Sequence, residues 1–396
     1  MIEIKSSINI QQINHLYREL ADLSGKQIQI DLKLPKAIQK RNFGVVFSLL
    51  QFICTWIRNE DSGALILPVS TDAEAIDYLT NEFVYPSVVL SWEKQIRNIN
   101  GENIRSFLKA PSQEYYRKLD FFENKERDSI PVFCFDHDLS KRGKSRVFYD
   151  AENQLLSEAY LDFTLHPALV KLSNHFNKRV FKSAVKNELN SIYGIISELF
   201  TNTHEHARTN EKGFNLYPNL RSLYIKFHKA PVQTYLQTYK ELPGLVKFFN
   251  SEFKVNDQNE LYLIELSFLD SGPGYVKRFT GRSDIIMPIE QEVEIIKQCL
   301  SIHKTSAPES NKSIKGYGLD RMLELLNGKG FLRIKTGHAD VFRDMKNVAH
   351  IKDIKKSSDI VLYDWSTNSD DNFTVNQWSE GALISIFYPL DFLPYD

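Results

Sequence analysis

Between residues 192 and 207 the chain carries a helical pattern whose two faces demand different surroundings. Glu198, Asn202 and His206 recur at every fourth position, which stacks a carboxylate, a carboxamide and an imidazole along one face. Ile192, Ile195, Ile196 and Leu199 supply the opposite, apolar side. A helix divided in this way has to lie on a core while its polar stripe lines a cleft. A carboxylate one turn from an amide suits magnesium and water.

The rest of the chain can build that core. Its 396 residues are 42% hydrophobic and 25% charged, a length and balance that suggest two domains, or one domain with a large insertion. Lys and Arg total 49 against 50 Asp and Glu, a net charge of -1. That global balance gives no pull toward nucleic acid or an anionic membrane. Cys54, Cys134 and Cys299 are scattered through apolar segments and read as reduced core residues. The first residues lack the basic and apolar regions of a signal peptide, and the longest apolar helix candidate, 43–57, is too short to span a bilayer. A soluble cytoplasmic protein without a membrane partner is expected.

Along the first half, Ile28, Ile30, Leu32 and Leu34 alternate with polar residues as a half-buried strand, and Pro35 ends it. The helix at 43–57 follows, then a short apolar strand at 64–68, then a helix opened by Ser70, Thr71 and Asp72 and running to Leu79. This order predicts an α/β layer domain over residues 1–170. Segments 88–92 and 130–135 read as further strands. In the second half, 220–228, 261–269, 331–335, 360–363 and 383–388 read as strands of a mixed sheet, with helices at 289–302 and 319–326. The charged stretch 337–358 is left unassigned as an insertion.

Two glycine-bearing turns accompany the helix at 192–207. Asp270, Ser271, Gly272, Pro273 and Gly274 follow an apolar strand, and Lys315, Gly316, Tyr317, Gly318 and Leu319 precede an apolar helix. Glu-x3-Asn alone is an ordinary solvated helix face, Asp-x-Gly-x-Gly alone a common turn, and Gly-x-Gly-Leu alone an ordinary helix start. Their order, and their positions at helix end, strand end and helix start, carry more than any one of them. Together they resemble the ATP site of the GHKL superfamily, which holds the gyrase, heat-shock chaperone, mismatch-repair and histidine-kinase ATPases. The resemblance covers roughly residues 178–389.

The resemblance implies an α+β protein whose residues 171–396 form a GHKL (Bergerat) type sandwich of helices on one face of a sheet, with ATP and Mg2+ between them. By resemblance Glu198 is the general base, Asn202 the magnesium ligand and Asp270 the carboxylate that reads the adenine amine. Gly272 and Gly274 let the backbone approach base and sugar. Gly316, Gly318 and Leu319 form the phosphate turn at a helix start, where free amides and the helix dipole attract anions. The segment 275–315 corresponds to the ATP lid, and His206, Lys304, Lys312 and Lys315 are candidate phosphate contacts. The family often has a threonine after the glycine that opens the last strand, but here Gly381 is followed by Ala382.

The implied function is slow ATP hydrolysis as a conformational switch, with ATP-dependent pairing of two subunits or docking of an unidentified protein partner. A protein serine or histidine kinase related to the anti-sigma-factor kinases is the alternative, and a non-hydrolysing nucleotide-binding regulator a third. Two other motifs are set aside. Gly143-Lys144-Ser145 imitates the end of a P-loop, but the required earlier glycine is Asp138. His204 and His206, two apart on a helix, point to opposite sides and cannot share one metal ion.

Overall fold

The computed structural model describes every residue except 27, 40–41, 138–142, 177–178, 302–317, 352–355 and 392–396. The first unit runs β1 (Ile2–Glu3), α1 (Ile10–Ser24), β2 (Leu32–Lys33), α2 (Val45–Asn59), β3 (Leu65–Ile66), α3 (Asp72–Leu79), α4 (Val84–Leu90), β4 (Ile96–Arg97) and α5 (Arg105–Asp120). Its four short strands pair in parallel in chain order. The expected alternation holds at Ile30, Leu32 and Leu34, which are buried, while Ile28 is exposed. Thr71 caps α3 by accepting from the Glu74 amide, as the Ser-Thr-Asp start predicts.

The remaining elements are β5 (Ser129–Cys134), α6 (Glu158–Phe176), α7 (Leu189–His206), β6 (Arg221–Pro231), α8 (Val232–Thr238), α9 (Pro243–Phe249), β7 (Glu260–Asp270), α10 (Gly274–Thr280), α11 (Ile289–Leu300), α12 (Gly318–Leu326), β8 (Phe331–Gly337), β9 (Ala339–Asp344), β10 (Tyr363–Asp364) and β11 (Ser379–Leu390). Seven strands join in the order β10-β9-β8-β11-β7-β6-β5. Every pairing in this sheet is antiparallel, so it is not the mixed sheet expected. Alternating apolar and polar residues specify a strand's buried face but not its direction, which explains the error.

Three further expectations are corrected. Residues 88–92 fall mostly in α4 and are not a strand: Val84 through Leu90 are buried on every side, which erases the period that separates helix from strand, and Pro86 lies in the first turn, where proline fits. The unassigned stretch 337–358 contains β9, and the expected strand at 360–363 shrinks to Tyr363–Asp364. The strand expected at 130–135 is β5, but it forms an edge of the large sheet, and α6 contributes Leu161, Leu165, Ala168, Leu169 and Leu172 to that sheet's core. The large sheet thus takes elements from before residue 171.

The sheet has two covered faces. Helices α6, α7, α11 and α12 pack on its front, where Leu266, Phe268, Ile334, Ile384 and Ile386 point. On the back lies the first unit, through α2. All residues from Val45 to Ile57 in this helix are buried. A helix hydrophobic and buried all round must be sandwiched: α2 packs on the large sheet, with Phe47 beside Tyr224 at 5.4 Å, and on the small one, with Trp56 Nε1 donating to Ile30 O at 2.8 Å. Burying each such aromatic is worth about 1.5–3 kcal/mol. The back face also holds ion pairs, including Arg333 forked onto Asp340 at 2.8 and 2.7 Å. Among the described residues no helix is long and apolar enough to cross a membrane.

Candidate functional site

The site grows from one transverse row of the large sheet. Cys134, Arg221, Asp270, Ala382, Thr336 and Ala339 are successive register partners across β5, β6, β7, β11, β8 and β9. Alternation puts them on the front, toward the helices. Asp270 ends β7 and is 9% exposed. Burial pushes its carboxyl up to about 6, while the amides of Gly272 and Ala382 and the nearby Arg221 and Arg278 pull the other way. The Gly272 amide donates to Asp270 Oδ1 at 2.9 Å.

The turn after Asp270 is fastened to α7 by close approach. A Cβ on Gly272 would lie 2.7 Å from Ala207 Cα, and Gly274 has φ +70 with Thr336 Oγ1 2.6 Å from where its Cβ would be. These contacts, and the left-handed backbone at Gly274, require glycine. From α10, Arg278 Nε donates to His206 O at 2.9 Å and Nη2 donates to Thr209 Oγ1 at 3.2 Å, capping the end of α7. Burial lowers the pKa of Arg278.

Glu198 and Asn202 lie farther up α7, with Glu198 about 13 Å along the axis from Ala207 at 1.5 Å per residue. Helix α12 comes close here: a Cβ on Gly194 would lie 2.6 Å from Leu325 Cδ1. Arg321 of α12 donates to Glu198 Oε1 at 2.8 Å and pairs with Glu158 Oε2 at 2.7 Å. Glu198 is therefore half of an ion pair and not a free carboxylate. The side-chain Nδ2 of Asn202 is buried without a hydrogen-bond partner among the described residues. An unpaired buried amide N–H calls for an acceptor such as a ligand oxygen, and magnesium would have to be met by the other end of the carboxamide, Oδ1.

The other expected site residues divide. Gly318 opens α12, and Leu319 packs into the front core, so its side chain is structural. His206 offers its backbone carbonyl to Arg278, while its ring sits 3.9 Å from Glu205. Lys304, Lys312, Lys315 and Gly316 lie outside the described residues, as does most of the lid beyond α10 and α11. His204 turns away to Tyr149, whose hydroxyl is 2.7 Å from Nδ1, and burial with Arg221 and Arg208 nearby lowers its pKa to about 4. Among the described residues no group of three His, Cys, Asp or Glu could hold a metal ion.

Sequence reasoning missed Arg221, Arg278, Arg321 and Thr336. Arg221 is fully buried, forks onto Asp136 at 2.6 and 2.8 Å and stacks over Phe200 at 5.2 Å. A charged residue opening an apolar strand was its only signal. Thr336 stands one strand beyond Ala382 in the Asp270 row, so this position carries a hydroxyl although the residue after Gly381 does not. A cleft of about 650 Å³ between α6 and the segment 122–130 is lined by Lys125, Arg127, Lys171 and His175 and shares no residue with the Asp270 row.

The fold and site define a class: an antiparallel sheet with helices on its front and, at one end of that face, a buried carboxylate beside a glycine turn and a polar helix stripe. Comparison with known proteins adds nothing to this description, since no family model, no curated protein and no solved structure matches the chain.

Proposed function

We propose that the protein binds Mg-ATP on the front of the large sheet, between the end of β7 and α7, and hydrolyses it slowly as a conformational switch. The switch would control pairing with a second copy or docking of a protein partner. One observation carries the reading: elements far apart in sequence meet along α7, Gly272 of the turn after β7 seating on Ala207 and Arg321 of α12 reaching Glu198. Asp270 and Glu198 thus stand at two ends of one helix-lined strip, which fits an elongated ligand with different chemistry at each end.

At the β7 end, Asp270 would accept from the adenine amine, its second acceptor position being fixed by the Gly272 amide. At the α12 end, Asn202 Oδ1 would hold Mg2+, whose charge would offset that of the phosphates. Glu198 would orient the attacking water and take its proton. It cannot do so while engaged by Arg321. Because Arg321 rides on α12, immediately after the glycine turn expected to meet phosphate, movement of that helix would release the base. Nucleotide occupancy and readiness for hydrolysis would then be one event.

The test is calorimetry with Mg-ATP on the parent and on Asp270→Ala. The parent should bind and the folded variant should not. Equal binding by both removes Asp270 from the site and with it this reading of the β7 end.

A further inference from the structure

The first unit has no role in the function proposed above, yet one of its helices touches the backbone that shapes the Asp270 row. We infer that α2 sets the geometry of the nucleotide site, with Gln51 and Thr55 as its positioning residues. The inference rests on the nucleotide reading for its purpose, but not for its geometry.

Strand β11 pairs with β8 through a bulge between Ser379 and Ala382. A bulge leaves backbone groups without ladder partners, and buried ones must find partners elsewhere. Here α2 supplies them. The Glu380 amide donates to Thr55 Oγ1 at 3.0 Å, and Gln51 Nε2 donates to Glu380 O at 3.3 Å and to Lys335 O at 3.0 Å. Thr55 Oγ1 in turn donates to Gln51 O at 2.9 Å, which aims its lone pairs at the bulge. Both side chains are buried, at 0% and 1% exposure, and the backbone at and beside the bulge supplies the partners that buried polar groups need.

The held backbone is the wall of the site. The next residue, Gly381, has φ +71, and a Cβ there would lie 1.8 Å from Asp270 O. Its carbonyl accepts from Thr336 Oγ1 at 2.8 Å, and that hydroxyl accepts from the Tyr275 amide at 3.3 Å, in the turn after Gly274. The Glu380 carboxylate reaches Lys277 of α10 at 3.6 Å and accepts from Trp378 Nε1 at 2.8 Å. One dipeptide, Glu380-Gly381, is therefore gripped from behind by α2 and touches Asp270, the glycine turn and α10 in front. Because Trp56 ties α2 to β2's approach at Ile30, a ligand or partner that moves the first unit moves this grip. By linkage, nucleotide would alter that partner's affinity by the same factor.

The whole 396-residue chain tests this with Thr55→Val, which removes the hydroxyl, Thr55→Ser, which keeps it, and Gln51→Leu. Amide exchange over 270–275 and 379–382, without nucleotide, and calorimetric ATP affinity are the readouts. In T55V and Q51L exchange should quicken and ATP affinity should fall, each about tenfold, the scale of one lost hydrogen bond. T55S should match the parent in both. Parental exchange over 270–275 in T55V overturns the inference, as does a T55S that behaves like T55V. A parent that fails to bind ATP, while T55V still loosens 270–275, overturns the nucleotide reading and leaves the coupling standing.

Discussion

Asp270→Asn should abolish nucleotide binding and, in the nucleotide-free protein, shift stability progressively toward the variant as pH rises. The carboxyl is raised from an ordinary 3.8 to about 6, chiefly by burial. A raised carboxyl pKa means the folded state binds the proton more tightly than the unfolded chain, so ionisation costs stability. At about 1.4 kcal/mol per tenfold in proton affinity, the cost is about 3 kcal/mol once the group is fully ionised, above about pH 6. It shrinks to about half that near pH 5 and vanishes below the unfolded value. Asparagine keeps the Oδ1 that accepts from Gly272 and never ionises. The loss of the Ala382 amide's acceptor is the same at every pH, so urea unfolding should favour D270N by about 1.5 kcal/mol more at pH 8 than at pH 5. Since Gly272 fixes the oxygen, the new amide would meet the adenine amine donor to donor, and ATP affinity should drop at least about 100-fold. A stability difference equal at both pH values would refute the argument that buried charge at Asp270 is what costs stability.

Glu198→Gln should leave ATP affinity intact and slow phosphate release about 10²–10⁴-fold, the usual worth of a positioned base; unchanged turnover in a steady-state phosphate assay would move the water-activating role elsewhere. Asn202→Ala should weaken ATP binding only when magnesium is present, so titrations with and without the ion should converge in the variant. Gly381→Ala, which forces a Cβ to within 1.8 Å of Asp270 O at a φ of +71, should cost about 3 kcal/mol or more in thermal or urea unfolding. Gly194→Ala, whose Cβ would meet the rotatable terminal methyl Cδ1 of Leu325 at 2.6 Å, should change unfolding stability by less than about 1 kcal/mol, the helix propensity of alanine offsetting the shift of Leu325.

Much of the site was legible because its signals are local. The spacing of Glu198 and Asn202 places them on one face of α7, and Asp270 does end its strand beside a glycine turn. What stayed hidden depends on pairings that no local pattern encodes. Arg221 enters the Asp270 row only through strand register, and Thr336 only because β11 lies between β7 and β8. The Arg321 to Glu198 ion pair needs α7 and α12 side by side, which the sequence shows only as a small residue at Gly194. The misassignment of α4 has a different cause. Seven consecutive buried residues carry no period, and β-branched valines at 84, 88 and 89 biased the reading toward strand. Sheet direction and the partnership of α2 with the bulge at 379–382 belong to the same class of nonlocal fact.

The central claim, that this site binds and turns over Mg-ATP, is tested most directly by incubating the pure protein with magnesium and γ-labelled ATP and following the label. The account predicts slow appearance of free labelled phosphate, abolished in Asp270→Ala and strongly slowed in Glu198→Gln. Label on the protein itself would identify a kinase instead of an ATPase, and no release together with no ATP binding would contradict the account.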